Sequence, residues 1–195
     1  MDREITLLAA ARQMDEDVLK EIFELYAPAL YRYAFRLCKQ AGLADELVGR
    51  VFERFVIQLS AGRHPGPDLR TILYEIAYGI LIRDIRYTNH FWSANWAVSG
   101  QRYQWSVQSG ADDQMLIDAL QQALIHNLTE DQRHVVLLRF VEGFSLKETA
   151  AIIGKKVNNV KVIQNRAITS LRKALDGPSA ETQTITLLLR RLAQT

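Results

Sequence analysis

Apolar side chains recur along most of the chain with the spacing of a helix rather than of a strand. Between residues 15 and 39, Val18, Ile22, Leu25, Tyr26, Leu30, Tyr33, Ala34 and Leu37 fall three or four apart, and Pro28 offers a break, so one helix or two fit there. After Gly42, the segment Ala44 to Leu59 sets Leu47, Val48, Val51, Phe52, Phe55 and Leu59 on one stripe, with Asp45, Glu46, Arg50, Glu53 and Arg54 around the rest. That pattern predicts an amphipathic helix. The turn formers of Gly62 to Pro67 end it, and Asp68 is placed to cap a further helix running to about Tyr87.

Residues 88–112 lose the period and collect Asn, Ser, Gln and Gly, yet hold Phe91, Trp92, Trp96, Tyr103 and Trp105, with all three tryptophans among them. The segment reads as a flexible linker by polarity but not by aromatic content. Its rings need a burial partner, either between two domains or on another protein. A helical pattern resumes at about Asp113 to His126. Thr129 with Gln132, and Ser145 with Glu148, then form two capping boxes that fix two helix starts. Between them Val135, Val136, Leu138, Phe140 and Val141 make an apolar body ending at Gly143. After Gly177-Pro178, one more short helix carries Ile185, Leu188, Leu189 and Leu192 on one side, suited to docking on a core or to holding a regulator. No run of β-branched residues bounded by turns interrupts this. The predicted fold is all-α: helical domains over 1–87 and 113–177, a linker over 88–112, and an extra C-terminal helix in 178–195.

The stretch from Ser145 has a helix-turn-helix layout. A short helix runs to Ile153, the chain turns at Gly154, and a second helix begins at about Asn158. Ala150, Gly154 and Val160 supply a small residue where the helices approach, a glycine for the turn and an aliphatic return to the core. Val160, Ile163, Ala167 and Leu171 then face inward. Asn158, Lys161, Val162, Asn165, Thr169, Arg172 and Lys173 face outward, with Asn159 and Arg166 on the flank. Amides read base edges, cations neutralise phosphates and a valine suits a thymine methyl. The plain alternative is a solvated face in a helical bundle.

Charge sharpens this. The 195 residues carry 24 basic and 22 acidic side chains, a net of +2, but residues 128–175 hold nine basic against four acidic. Only that segment is clearly basic. A single cysteine, Cys38, in an apolar-patterned run excludes a disulfide framework and suits a reducing compartment. His64, His90, His126 and His134 lack metal-site spacing, and neither a phosphate loop nor a nucleophile arrangement is present, so the expectation is a non-enzyme without cofactors. No apolar run is long enough to span a bilayer, and MDREITLL is acidic where a signal peptide is basic, so a cytoplasmic protein without membrane insertion is expected.

LTEDQRHVVLLR over 128–139, EGFS over 142–145, ETAAIIG over 148–154, Val160-Lys161 and Arg166-Ala167 together resemble region four of the extracytoplasmic-function sigma factors. LYRYA over 30–34, ADELV over 44–48 with Phe52, LYEIA over 73–77 and Arg86 resemble that family's region two. The resemblance covers about residues 18–87 and 113–175 in the family's order. It implies that the C-terminal domain binds the upstream promoter element through Asn158, Asn159, Lys161, Val162, Asn165, Arg166, Thr169 and Arg172. It implies that the N-terminal domain docks on core RNA polymerase through Asp45, Glu46, Arg50, Glu53 and Arg54. Tyr74, Tyr78, Arg83, Arg86 and Tyr87 would serve the minus-ten element, rings stacking on unpaired bases and cations meeting the backbone. Tyr74 has a rival reading as a core residue at helical spacing. An anti-sigma protein is the implied inhibitor.

Several positions depart from the family pattern. Gly49-Arg50 replaces a Gln-acid pair, Ile72 a tryptophan, Tyr78-Gly79 an Arg-Asn pair, Arg83 an aspartate, and Val162-Ile163 a Ser-Arg pair. The first and third of these favour an alternative, a helix-turn-helix regulator that works without polymerase. The aromatic linker and the extra tail favour another, a sigma-like protein-interaction module.

Overall fold

In a computed structural model, residues 2–62, 68–87, 111–175 and 185–190 are described, with side chains over 6–62, 68–83, 118–175 and 185–190. Most of the expected Gly62 to Pro67 turn, the aromatics of 88–110, the side chains of Arg86 and Tyr87, and Leu192 lie outside the described residues. Among those described, all regular structure is helical, and the chain divides into two compact units, 1–100 and 101–195. No helix among them is long and apolar enough to cross a membrane.

The first unit holds α1 (Asp2–Ala11), α2 (Glu16–Cys38), α3 (Ala41–Ser60) and α4 (Leu69–Tyr87). Asp15 starts α2 by accepting from the amides of Asp17 at 3.1 Å and Val18 at 3.2 Å, with Glu16 and Asp17 in the positive first turn. Helix α2 is a single helix straight through Pro28. An interior proline costs about 3 kcal/mol. Here Ile22, Tyr26, Leu30, Tyr33, Ala34 and Leu37 are buried on both sides of it, each large side chain contributing roughly 1.5–3 kcal/mol, so packing outweighs the break. The helix stops at Lys39, which takes a left-handed φ of 56° and donates its amide to Phe35 at 2.8 Å.

Helix α3 packs between α2 and α4 through Ala44, Leu47, Val48, Val51, Phe55 and Leu59, which are buried. Asp68 caps α4 as the sequence suggests, accepting from the amides of Arg70 at 3.2 Å and Thr71 at 3.3 Å. Helix α1 has no counterpart in the sequence reading. Leu7, Leu8 and Ala11 seat it on α2 and α4. The Cys38 thiol is mostly enclosed, donates to the Gln40 carbonyl at 3.4 Å and is pushed up in pKa by burial, which makes it an unreactive structural thiol.

The second unit holds α5 (Ala111–His126), α6 (Glu130–Val136), a π-helical turn (Leu137–Val141), α7 (Leu146–Ile152), α8 (Val157–Leu175) and a short helix α9 at 185–190. Its core joins Leu120, Ala123 and Leu124 of α5 to Leu128, Val136, Ala167, Ile168 and Leu171, with Ile185, Leu188 and Leu189 of α9. The tail helix is therefore docked on the core. Arg133 fastens α5 to α6, its guanidinium donating to the carbonyls of Leu124 and Ile125 at 3.0 Å and Leu128 at 3.3 Å, a charged cap on the last turn of α5.

Candidate nucleic-acid interface

Both predicted capping boxes are closed. At α6, Thr129 accepts from the Gln132 amide at 3.4 Å while the Gln132 side chain accepts from the Thr129 amide at 3.0 Å. At α7, Ser145 accepts from the Glu148 amide at 3.2 Å and Glu148 from the Ser145 amide at 2.6 Å. Helix α7 then ends in a reversed turn at Gly154, whose φ is 63°. The Gly154 amide donates to Ala151 at 3.2 Å and the Lys155 amide to Ala150 at 3.0 Å, the pairing that a left-handed glycine permits after a helix. The turn aims α8 away from α7 within the four residues 153–156, as a helix-turn-helix requires.

On α8, Val160, Ala167 and Leu171 are buried and Ile163 is half-buried, as the pattern predicts; Ile168 joins them. Asn158, Asn159, Lys161, Val162, Asn165, Arg166, Thr169, Arg172 and Lys173 are all exposed. The Thr169 hydroxyl donates to the Asn165 carbonyl at 2.9 Å, so it serves the helix itself. Two links set the direction of this face. Arg139, from the π-helical turn, donates through Nε to Gln164 of α8 at 3.1 Å and through its other arm to the Phe144 carbonyl before α7. Lys155 in the turn pairs with Asp131 of α6 at 3.1 Å.

In the first unit, Asp45, Glu46 and Glu53 are exposed on α3, and Arg50 and Arg54 are half-buried. Arg50 pairs with Glu46 at 3.6 Å, so part of this face is already neutralised. Gly49 is exposed on the same helix, and Ile57 continues the charged face while 57% exposed. On α4 the sequence reading needs correction. Tyr74 is fully buried and tilts against Tyr33 with ring centroids 5.1 Å apart, so its ring is core and closed to a base. Tyr78 is half-buried and Arg83 exposed; five residues apart on a helix, they point about 140° away from one another and do not share a face.

Residues 124–173 match the family Sigma-70, region 4, over the two capping boxes and most of α8. The ECF RNA polymerase sigma factor SigX of Bacillus subtilis is 26% identical over 174 residues, 83% of this chain and 85% of SigX. The ECF sigma factor BldN of Streptomyces coelicolor is 23% identical over 180 residues, 89% of this chain and 66% of BldN. Both alignments run through both units. The second unit carries a Sigma-70 region 4, and along most of its length the chain is similar to extracytoplasmic-function sigma factors. Its fold agrees: the sigma factor RpoE of Bartonella quintana, solved with the anti-sigma factor NepR, superposes with a TM-score of 0.61 at 23% identity, over 80% of this chain and 95% of that one.

Within the second unit, three features carry no signal along the sequence. The Arg139–Gln164 link joins residues 25 positions apart. The π-helical turn, where the Glu142 amide reaches back five residues to Leu137 at 2.9 Å, looks like ordinary helix in an apolar run. His134 is completely buried in α6, where desolvation first and the Arg133 charge second bring its pKa to about 3, against a smaller opposing pull from Asp131.

Proposed function

We propose that this protein binds core RNA polymerase and directs promoter-specific initiation in the cytoplasm. Helix α8 meets the upstream element through Asn158, Asn159, Lys161, Val162, Asn165, Arg166 and Arg172. The exposed face of α3, with Asp45, Glu46, Glu53, Arg50 and Arg54, meets polymerase. The observation that carries this reading is one chain holding a capped helix-turn-helix with an outward face of amides and cations, within a similarity to ECF sigma factors that spans 83% of the chain or more. Its work is binding and not catalysis.

At the downstream element the reading rests on Arg83, Arg86 and Tyr87, without the buried Tyr74 and without Tyr78, which points away from Arg83. Control by an anti-sigma protein is part of the proposal, supported by the fold shared with RpoE, which was solved with one. Size-exclusion chromatography with bacterial core polymerase tests the reading: the protein is expected to co-elute. A specific observation favours a second reading, a regulator that acts without polymerase, because Gly49, without a side chain, sits exposed in the middle of the α3 face. Free elution with duplex-DNA binding intact would establish that second reading.

A further inference from the structure

We infer that the reading surface of α8 is built for adenine and thymine, with Asn158, Val162 and Asn165 specifying the bases and Lys161 and Arg166 holding the two flanking backbones. This rests on the proposed function, since it names the DNA sequence class that the same face selects.

The argument is one of helical phase. At 100° per residue, Asn158, Val162 and Asn165 fall within about 60° of one another. Their mean direction lies almost opposite the buried stripe of Val160, Ala167 and Leu171. This strip is the most outward part of α8, and it lies in the first half of the helix, which enters the major groove in a helix-turn-helix. Lys161 sits about 65° to one side of it and Arg166 about 75° to the other. Both are exposed. Long cations on either shoulder of a helix lying in a groove meet the phosphates that line it.

The chemistry of the strip then limits what it reads. Recognition of guanine in the major groove calls for Arg or Lys aimed at O6 and N7, and in the first half of α8 no cation lies on the strip; Arg172 and Lys173, about 50° from its mean direction, belong to the last turn. An asparagine amide matches N7 and N6 of adenine, and an aliphatic side chain matches the C5 methyl of thymine. The outward amides are asparagines alone, because Gln164 is turned inward and bonded to Arg139 at 3.1 Å. Val162 is 48% exposed, an apolar group that gains nothing from water and suits a methyl partner.

The test is selection from a fully randomised duplex library by the full-length protein bound to core polymerase, followed by probes with thymine replaced by uracil in the enriched upstream element. Two or more adjacent A·T pairs are expected there. Replacing the decisive thymine by uracil should weaken binding about four-fold, the worth of one buried methyl. The variant Val162→Ala should be indifferent to that change, and Asn165→Ala should lose preference at an adenine by on the order of ten-fold. Enrichment of G·C pairs whose selection depends on Lys161 or Arg166, or an equal response of wild type and Val162→Ala to uracil, would overturn this inference alone. Failure to enrich any sequence would overturn the proposed function and this inference with it.

Discussion

On the proposed function, single residues divide the second unit into those placed to touch DNA and those that aim them. Lys161→Ala and Arg166→Ala should each lower the slope of log affinity against log salt by about one while leaving thermal stability unchanged. An unaltered slope would place both side chains off the backbone. Arg139 belongs to the other group, since its two arms join α8 to the segment before α7. Arg139→Met should weaken specific binding with no change in salt slope. The double variant with Gln164→Met should be no weaker than Arg139→Met, and additive losses would show that the two side chains are not coupled. His134 gives the unit a pH response. Its folded pKa is about 3 and its unfolded one near 6.5, so the unfolded chain takes up a proton that the folded chain refuses. Its contribution is fully present above pH 6.5 and is lost as pH falls toward 3, by up to about 1.4 kcal/mol per pH unit. Urea unfolding at pH 7 and pH 5 should show this loss, and His134→Leu should reduce it. An equal loss in the variant would assign the acid sensitivity to other groups.

At the scale of elements, what the sequence discloses is what acts locally. The two capping boxes and the turn glycine depend on neighbours three to five residues away, and each is closed as its spacing implies. The outward and inward faces of α8 follow from period alone. Long-range packing is what local reading misses. Pro28 looks like a break until the buried residues on both sides of it are counted, and α1 is too short a pattern to stand out before its three buried side chains find α2 and α4. Tyr74 was legible only as one of two alternatives, because a tyrosine at helical spacing suits a core or a stacking platform equally, and the ring of Tyr33 decides it. The same balance makes two elements testable. A Cβ on Gly49 would meet nothing within 4 Å, so Gly49→Ala should stabilise the first unit by roughly 0.5–1 kcal/mol in denaturant unfolding. A destabilised variant would mean that the glycine serves the fold after all. Helix α9 is part of the core it covers, with Leu189 fully buried. Leu189→Ala should therefore cost roughly 2–5 kcal/mol. No change in unfolding midpoint would mean that the tail is dispensable to the fold.

For the whole molecule, two helical units divide one task. The first presents a mixed-charge helix face with one exposed isoleucine, and the second a basic helix-turn-helix whose direction is set by half-buried polar links. Net charge near neutral over the chain hides this division, and counting by segment recovers it: the basic excess lies in the unit that carries the proposed DNA face. On the proposed function, initiation requires both units on one chain, because polymerase supplies the chemistry and the second unit supplies the address. Run-off transcription with purified core polymerase and a promoter library measures that coupling directly. The account predicts discrete transcripts that depend on the protein and fall with Lys161→Ala and Arg166→Ala. Transcripts that do not depend on the protein, despite its binding duplex DNA, would contradict it.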